Sequence, residues 1–157
     1  MMWTNGKLNL LGKKAFPIFN YHTTVGIAVA GADVYIAGRF PDTTHAGGYW
    51  KNGVWNNINN GAFLPSSIIT SGSDVYIAGA TYTRNPAYSQ QAAYWVNGNL
   101  IQLTGSVATA IAVDGQNVYI SGIDNNNNVV VWKNGNTIFT TIGPGTDVGA
   151  DCVAIGN

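Results

Sequence analysis

The sequence predicts an all-β fold made of four-stranded repeats, and three observations predict it. One run recurs three times: Gly31-Ala32-Asp33-Val34-Tyr35-Ile36-Ala37-Gly38, Gly72-Ser73-Asp74-Val75-Tyr76-Ile77-Ala78-Gly79 and Gly115-Gln116-Asn117-Val118-Tyr119-Ile120-Ser121-Gly122. Each copy is followed by a second signature, Tyr49-Trp50-Lys51-Asn52-Gly53, Tyr94-Trp95-Val96-Asn97-Gly98 and Val131-Trp132-Lys133-Asn134-Gly135. The composition is the third observation. The 157 residues are 46% hydrophobic but only 9% charged, with 20 glycines, against about 25% charged residues in an average domain. All seven acidic residues are Asp, so the strong helix former Glu is missing while the turn formers Asn and Gly abound.

Taken in order, the chain opens inside a repeat. Trp3-Thr4-Asn5-Gly6 matches the later Trp-x-Asn-Gly signatures, and Lys7 to Leu11 reads as the strand after the turn. Asn-Gly between extended runs signals a type I′ hairpin, whose two central residues both need φ > 0. With the Trp strand called C and its successor D, a connector from Gly12 to Thr24 leads to the first full copy. There A is expected at Val25 to Ala30, B at Val34 to Ala37, C around Tyr49-Trp50 and D at Val54 to Ile58. The second copy has A at Ser67 to Thr70, B at Val75 to Ala78, C at Ala92 to Val96 and D at Leu100 to Leu103. The third has A at Thr109 to Val113, B at Val118 to Ser121, C at Val129 to Lys133 and D at Thr137 to Ile142. Cys152-Val153-Ala154-Ile155-Gly156 then aligns with strand A and its closing glycine.

The marker glycines Gly31, Gly72, Gly115 and Gly156 stand 41, 43 and 41 residues apart. Four short strands per unit at that period are the signature of a β-propeller blade. Helical repeats of similar period are excluded by the paired turn signals and the lack of a 3.6-residue apolar pattern. Runs such as Val34-Tyr35-Ile36-Ala37 suit sheets buried on both faces. The expected organisation is one domain, 1–157, with repeats near 25–66, 67–108 and 109–147 and with 1–11 and 148–157 as partial blade.

The copies resemble bacterial β-propeller repeats of the form Val-Tyr-x-Ala-Gly … Tyr-Trp-Lys-Asn-Gly. That resemblance covers essentially the whole chain and implies a fold of the kelch and WD40 architectural type without implying a chemistry. The double glycine of kelch repeats is replaced here by single Gly38, Gly79 and Gly122, and the Trp-Asp ending of WD40 blades is absent. Tandem copies of this kind occur in larger surface or secreted proteins.

The strand inventory leaves a composite blade with C and D from one end, A from the other, and no B. Unpaired strand edges invite another chain, so the expected partner is a second copy, most simply a dimer closing the ring. Seven basic and seven acidic residues give zero net charge, which offers neither nucleic acid nor a membrane surface a basic patch. No apolar run approaches the ~20 residues of a membrane span, and the first residues carry no signal-peptide pattern. The Asn-rich, charge-poor composition favours a secreted or cell-surface setting over a cytoplasmic one.

A–B turns and C–D turns should share one end of each sheet and are short and uniform. B–C loops and D–A connectors share the other end and vary, and insertions in repeat folds gather on the binding side. The candidate ligand-binding residues are therefore Arg39, Asp42, His45, Tyr82, Arg84, Tyr88 and Gln90. Aromatic rings beside amide, carboxylate and guanidinium groups suit a glycan or a protein ligand. His22, His45 and Asp42 are a weak metal set, and Asp124 to Asn128 lacks the spacing of an EF-hand loop. Single Cys152 reads as a small buried residue. No nucleophile elbow, phosphate loop or paired Cys and His is present, and Asp33 and Asp74 at equivalent turns suggest turn stabilisation. The expectation is a non-enzymatic scaffold or binding module without catalytic residues, metal or cofactor. The alternatives are a hydrolase or lyase acting on polysaccharide, or an architectural fragment of a longer surface protein.

Overall fold

The computed structural model of the chain describes residues 2–4, 7–9, 24–39, 47–83 and 87–141. Most of the connector 12–24, the strand expected at 152–156, and the candidate residues Asp42, His45 and Arg84 lie outside the described residues. Fourteen strands and a short 3-10 turn at Asn59–Gly61 make up the described chain. β1 (Met2–Thr4) pairs antiparallel with β2 (Lys7–Asn9). Three four-stranded antiparallel sheets follow, each a meander in chain order. The first holds β3 (Thr24–Ala30), β4 (Asp33–Arg39), β5 (Gly47–Lys51) and β6 (Val54–Asn57). The second holds β7 (Phe63–Ser71), β8 (Asp74–Thr83), β9 (Ser89–Val96) and β10 (Asn99–Gln102). The third holds β11 (Val107–Asp114), β12 (Asn117–Ile123), β13 (Val129–Lys133) and β14 (Asn136–Thr140).

The hairpin turns take the backbone that their residues specify. Asn52, Asn97 and Asn134 have φ of 49°, 45° and 50°, and the glycines after them are also left-handed, as a type I′ turn requires. The same asparagines do a second job. Their side-chain Oδ1 atoms accept from the backbone N of Val34, Val75 and Val118 at 2.9, 3.0 and 2.8 Å. Each C–D turn is thereby tied to the start of strand B, which puts the A–B and C–D turns at one end of every sheet. Asn52 and Asn97 also donate Nδ2 to Asp33 and Asp74 at 2.7 Å.

Strand A is longer in the second copy than its apolar run suggested, and in all three copies it carries a bulge, between Thr24 and Gly26, Pro65 and Ser67, and Ala108 and Ala110. The residues paired there are Gly38, Gly79 and Gly122. A Cβ at Gly122 would overlap Val107 O and lie 2.8 Å from Trp132 Cζ3; at Gly79 it would overlap Leu64 O and lie 2.8 Å from Phe63 Cζ. Close approach of strand A and an aromatic ring is the physical reason for the single glycine that closes the second and third runs.

Directly paired residues share a sheet face, so the register assigns faces. In the first sheet Ala28, Tyr35, Ala37, Tyr49 and Lys51 look one way, while Ile27, Val29, Val34, Ile36 and Trp50 look the other. Tyr35, Ala37 and Tyr49 pack against Ile68, Val75, Ile77 and Trp95 of the second sheet. The opposite face of that sheet, Ile69, Tyr76, Ala78, Tyr94 and Val96, packs against Ile111, Val118, Ile120 and Trp132 of the third. Both junctions thus use the same repeat positions: the Tyr/Ala face of one sheet meets the Val/Ile/Trp face of the next. Hydrogen bonds reinforce the order, Thr70 Oγ1 donating to Val29 O at 2.8 Å and Ser66 Oγ to Ala108 O at 2.6 Å. On the outer face of the third sheet Ser121 replaces the alanines at 37 and 78, and its buried hydroxyl has no partner; nothing in the structure explains it.

Candidate functional site

The two junctions differ at the end that carries the tight turns. Between the first and second sheets lies a groove of about 460 Å³ lined by Tyr35, Tyr49 and Lys51 on one side and Ser73, Asp74, Val75, Trp95, Asn97 and Gly98 on the other. Residues at the same repeat positions in the second junction are Tyr76, Tyr94 and Val96 facing Val118, Trp132 and Asn134. There the space is filled. Ile101 packs with Tyr94 and Val96, and its Cγ2 would stand 3.9 Å from a Cβ on Gly135. The repeat equivalent of Ile101 in the first sheet is Asn56, which turns back to donate to Val54 O at 3.0 Å. Nothing lies within 4 Å of the Cβ position of Gly98. Between the two junctions Lys51 stands for Val96, Asn56 for Ile101, Ser73 for Gln116 and Asp74 for Asn117, and the first two of these replacements take apolar side chains out of the seam.

The floor of the groove is aromatic. Tyr49 and Trp95 rings lie 5.2 Å apart, tilted by 45°, and Tyr35 and Tyr49 rings 6.2 Å apart. The Lys51 ammonium sits 5.4 Å from the centre of the Tyr35 ring and 2.8 Å from Asp33 Oδ2. This ion pair, reinforced by the Asn52 amide, holds the Asp33 carboxyl below the ordinary carboxylate value. The same hydrogen bond to Asp33, and then the one to Tyr35, raises Lys51. Burial pushes the Tyr49 hydroxyl up, with the neighbouring Tyr35 adding to it, so it stays a neutral donor at physiological pH. Asp33 and Asp74 both accept from turn asparagines, as their place in the repeat suggested.

Of the residues expected to bind ligand, the described ones, Arg39, Tyr82, Tyr88 and Gln90, lie at the opposite end. Arg39 ends β4 opposite Gly47. Tyr82 and Gln90 are cross-strand partners near the tip of the long β8–β9 hairpin, and the rings of Tyr82 and Tyr88 stack 6.4 Å apart. The Tyr82 hydroxyl donates to Gly61 O at 3.4 Å. The structure therefore brings Tyr82, Tyr88 and Gln90 together and leaves Arg39 on another sheet. Asp124, at the third B–C loop, spends its carboxylate on its own loop: Oδ1 accepts from the N of Asn126 and Asn128, and Oδ2 from Asn128 Nδ2. Those bonds hold it below the ordinary carboxylate value. Among the described residues no three His, Cys, Asp or Glu side chains cluster as a metal site.

The groove residues were missed by a reading that treated the uniform turns as inert. The signal that could have found them is the break in the repeat itself, Lys51 against Val96 and Asn56 against Ile101. Comparison with protein-family models, with curated proteins and with solved structures finds no match.

Proposed function

We propose that the three sheets are blades of a β-propeller, and that the chain is a non-catalytic binding scaffold whose ligand lies in the groove between the first two sheets. The observation that carries this reading is the pair of junctions built from the same repeat positions, one dry and one opened into an aromatic groove. Repetition of one Tyr/Ala-to-Val/Ile/Trp contact is what sheets fanned about an axis require.

The chemistry of the groove favours an uncharged polar ligand, a glycan above all. Trp95 and Tyr49 offer apolar ring surface, and Asn97, Ser73 and the tyrosine hydroxyls offer neutral donors and acceptors. Lys51 is already matched by Asp33, which removes the attraction for an anion. Titration of the protein with neutral oligosaccharides, followed by tryptophan fluorescence and calorimetry, tests the proposal. Binding that falls at least tenfold, about 1.4 kcal/mol, in Trp95→Ala but not in Tyr88→Ala supports it. Binding lost in Tyr88→Ala and kept in Trp95→Ala moves the site to the other end, and no binding across a broad glycan panel sinks the ligand class.

A further inference from the structure

The three C–D turns repeat one dipeptide on one backbone and differ in what holds its side chain. Asn52-Gly53, Asn97-Gly98 and Asn134-Gly135 have positive φ at both residues, and all three asparagines are exposed. In each, Oδ1 accepts the backbone N–H that opens strand B, from Val34, Val75 and Val118. In the first two copies the amide nitrogen is engaged as well, Asn52 Nδ2 donating to Asp33 and Asn97 Nδ2 to Asp74 at 2.7 Å. The third copy has Asn117 where the others have aspartate. A neutral amide oxygen is a weaker acceptor than a carboxylate, and among the described residues Asn134 Nδ2 makes no hydrogen bond.

We propose that Asn134 is a modification site of the folded protein, where the side-chain amide is lost as ammonia by ring closure onto the backbone nitrogen of Gly135. Glycine leaves room for this closure because it has no Cβ. The Gly135 nitrogen bonds to Asn134 Cγ, the Cγ–Nδ2 bond breaks, and Nδ2 departs as ammonia with the proton that the glycine nitrogen gives up. Water then opens the five-membered imide at either carbonyl, leaving an aspartate or an isoaspartyl linkage at position 134. One water is consumed for each ammonia released, and nothing is oxidised or reduced. Closure requires the amide plane to swing until Cγ faces the glycine nitrogen. An amide held at both oxygen and nitrogen resists that swing, whereas one held at oxygen alone turns about its single bond. The Val118 N–H on Oδ1 also stabilises the negative charge that builds on this oxygen as the nitrogen adds. Asn60-Gly61, the fourth such pair among the described residues, withholds the nucleophile: Gly61 is buried and its N–H donates to Ile58 O at 2.8 Å.

The isoaspartyl product adds a carbon to the main chain of a two-residue turn. It therefore strains both ties of that turn to strand B, Asn134 N to Val118 O at 2.9 Å and Val118 N to Asn134 Oδ1 at 2.8 Å. The change falls at the filled second seam. At the open seam Asp74, which lines the groove, pins Asn97 of the same groove and so keeps that wall chemically intact.

The test incubates the full chain in warm, mildly alkaline buffer, samples it over time, and maps peptides by mass spectrometry with isoaspartate-specific methylation. The proposal expects conversion at Asn134 about fivefold faster than at Asn52, Asn97 or Asn60, the order expected from removing one charge-assisted hydrogen bond. Comparable rates, or a faster rate at any of the other three, overturn it. In urea the rates should converge, since the bonds that separate the sites are gone; a preference for Asn134 that persists there assigns it to neighbouring sequence and overturns the proposal. Asn117→Asp restores the missing carboxylate and should slow Asn134 to the rate of Asn52 and Asn97; an unchanged rate in the folded variant overturns the proposal.

Discussion

The first and second junctions between sheets are two answers to one packing problem. Both bring a tyrosine-bearing face onto a Val/Ile/Trp face, and both rest on the same glycine-bulge and asparagine-turn devices. In the second, Tyr94, Val96 and Ile101 close over Trp132, which is fully buried and donates its indole N–H to Thr104 Oγ1 at 3.1 Å. In the first, Trp95 stays half-buried and ends in the groove. The difference teaches that a repeat can keep its backbone devices while a few side chains decide whether a seam is filled or open.

The largest effect that would test this comparison is truncation of the two tryptophans. Removing a fully buried Trp costs about 3–5 kcal/mol, so Trp132→Ala should lower the urea midpoint steeply. Trp95→Ala, which starts half-buried, should cost roughly 1–2 kcal/mol by the area it removes from contact. Equal losses would show that the first seam is as dry as the second.

A smaller effect comes from exchanging the residues that set the seams apart. Val96→Lys buries an ammonium stem against Tyr76 and Ile101 and should cost about 1–3 kcal/mol. Lys51→Val should leave the urea midpoint near neutral pH little changed, since exposed ion pairs contribute little. It should instead alter the acid limb. Asp33 has a folded pKa depressed below its unfolded value, so its contribution is present above the ordinary carboxylate range and is lost as pH falls through the folded value. Acid titration of stability below about pH 4 should therefore be shallower in Lys51→Val than in the parent protein. An unchanged acid limb would mean the ion pair does not form in solution.

Most of the architecture was legible because turn chemistry is local. Asn-Gly and the marker glycines Gly31, Gly72 and Gly115 specify left-handed backbone one residue at a time, and each strand expected within the described residues was found within a few residues of its place. The bulge in strand A was not read from the sequence: it falls opposite Gly38, Gly79 and Gly122 across the hairpin, and only Pro65, in the second copy, marks it from within the strand. The Asp33 and Asp74 roles were legible from their equivalence. That the turn asparagines also hold strand B was not, because the bond spans 18 residues in the first copy. The groove was hidden for a different reason: Lys51 and Asn56 read alone as ordinary polar residues, and only alignment of the copies, which puts them at the repeat positions of Val96 and Ile101, shows what the first seam lacks.

The most direct measurement of the difference between the seams is hydrogen exchange at the indole N–H groups, followed by NMR on the intact protein. The account predicts that the Trp132 indole, buried and bonded to Thr104, exchanges slowly, while the Trp95 indole exchanges orders of magnitude faster through the open groove. Comparable protection at the two tryptophans, or slower exchange at Trp95, would contradict it.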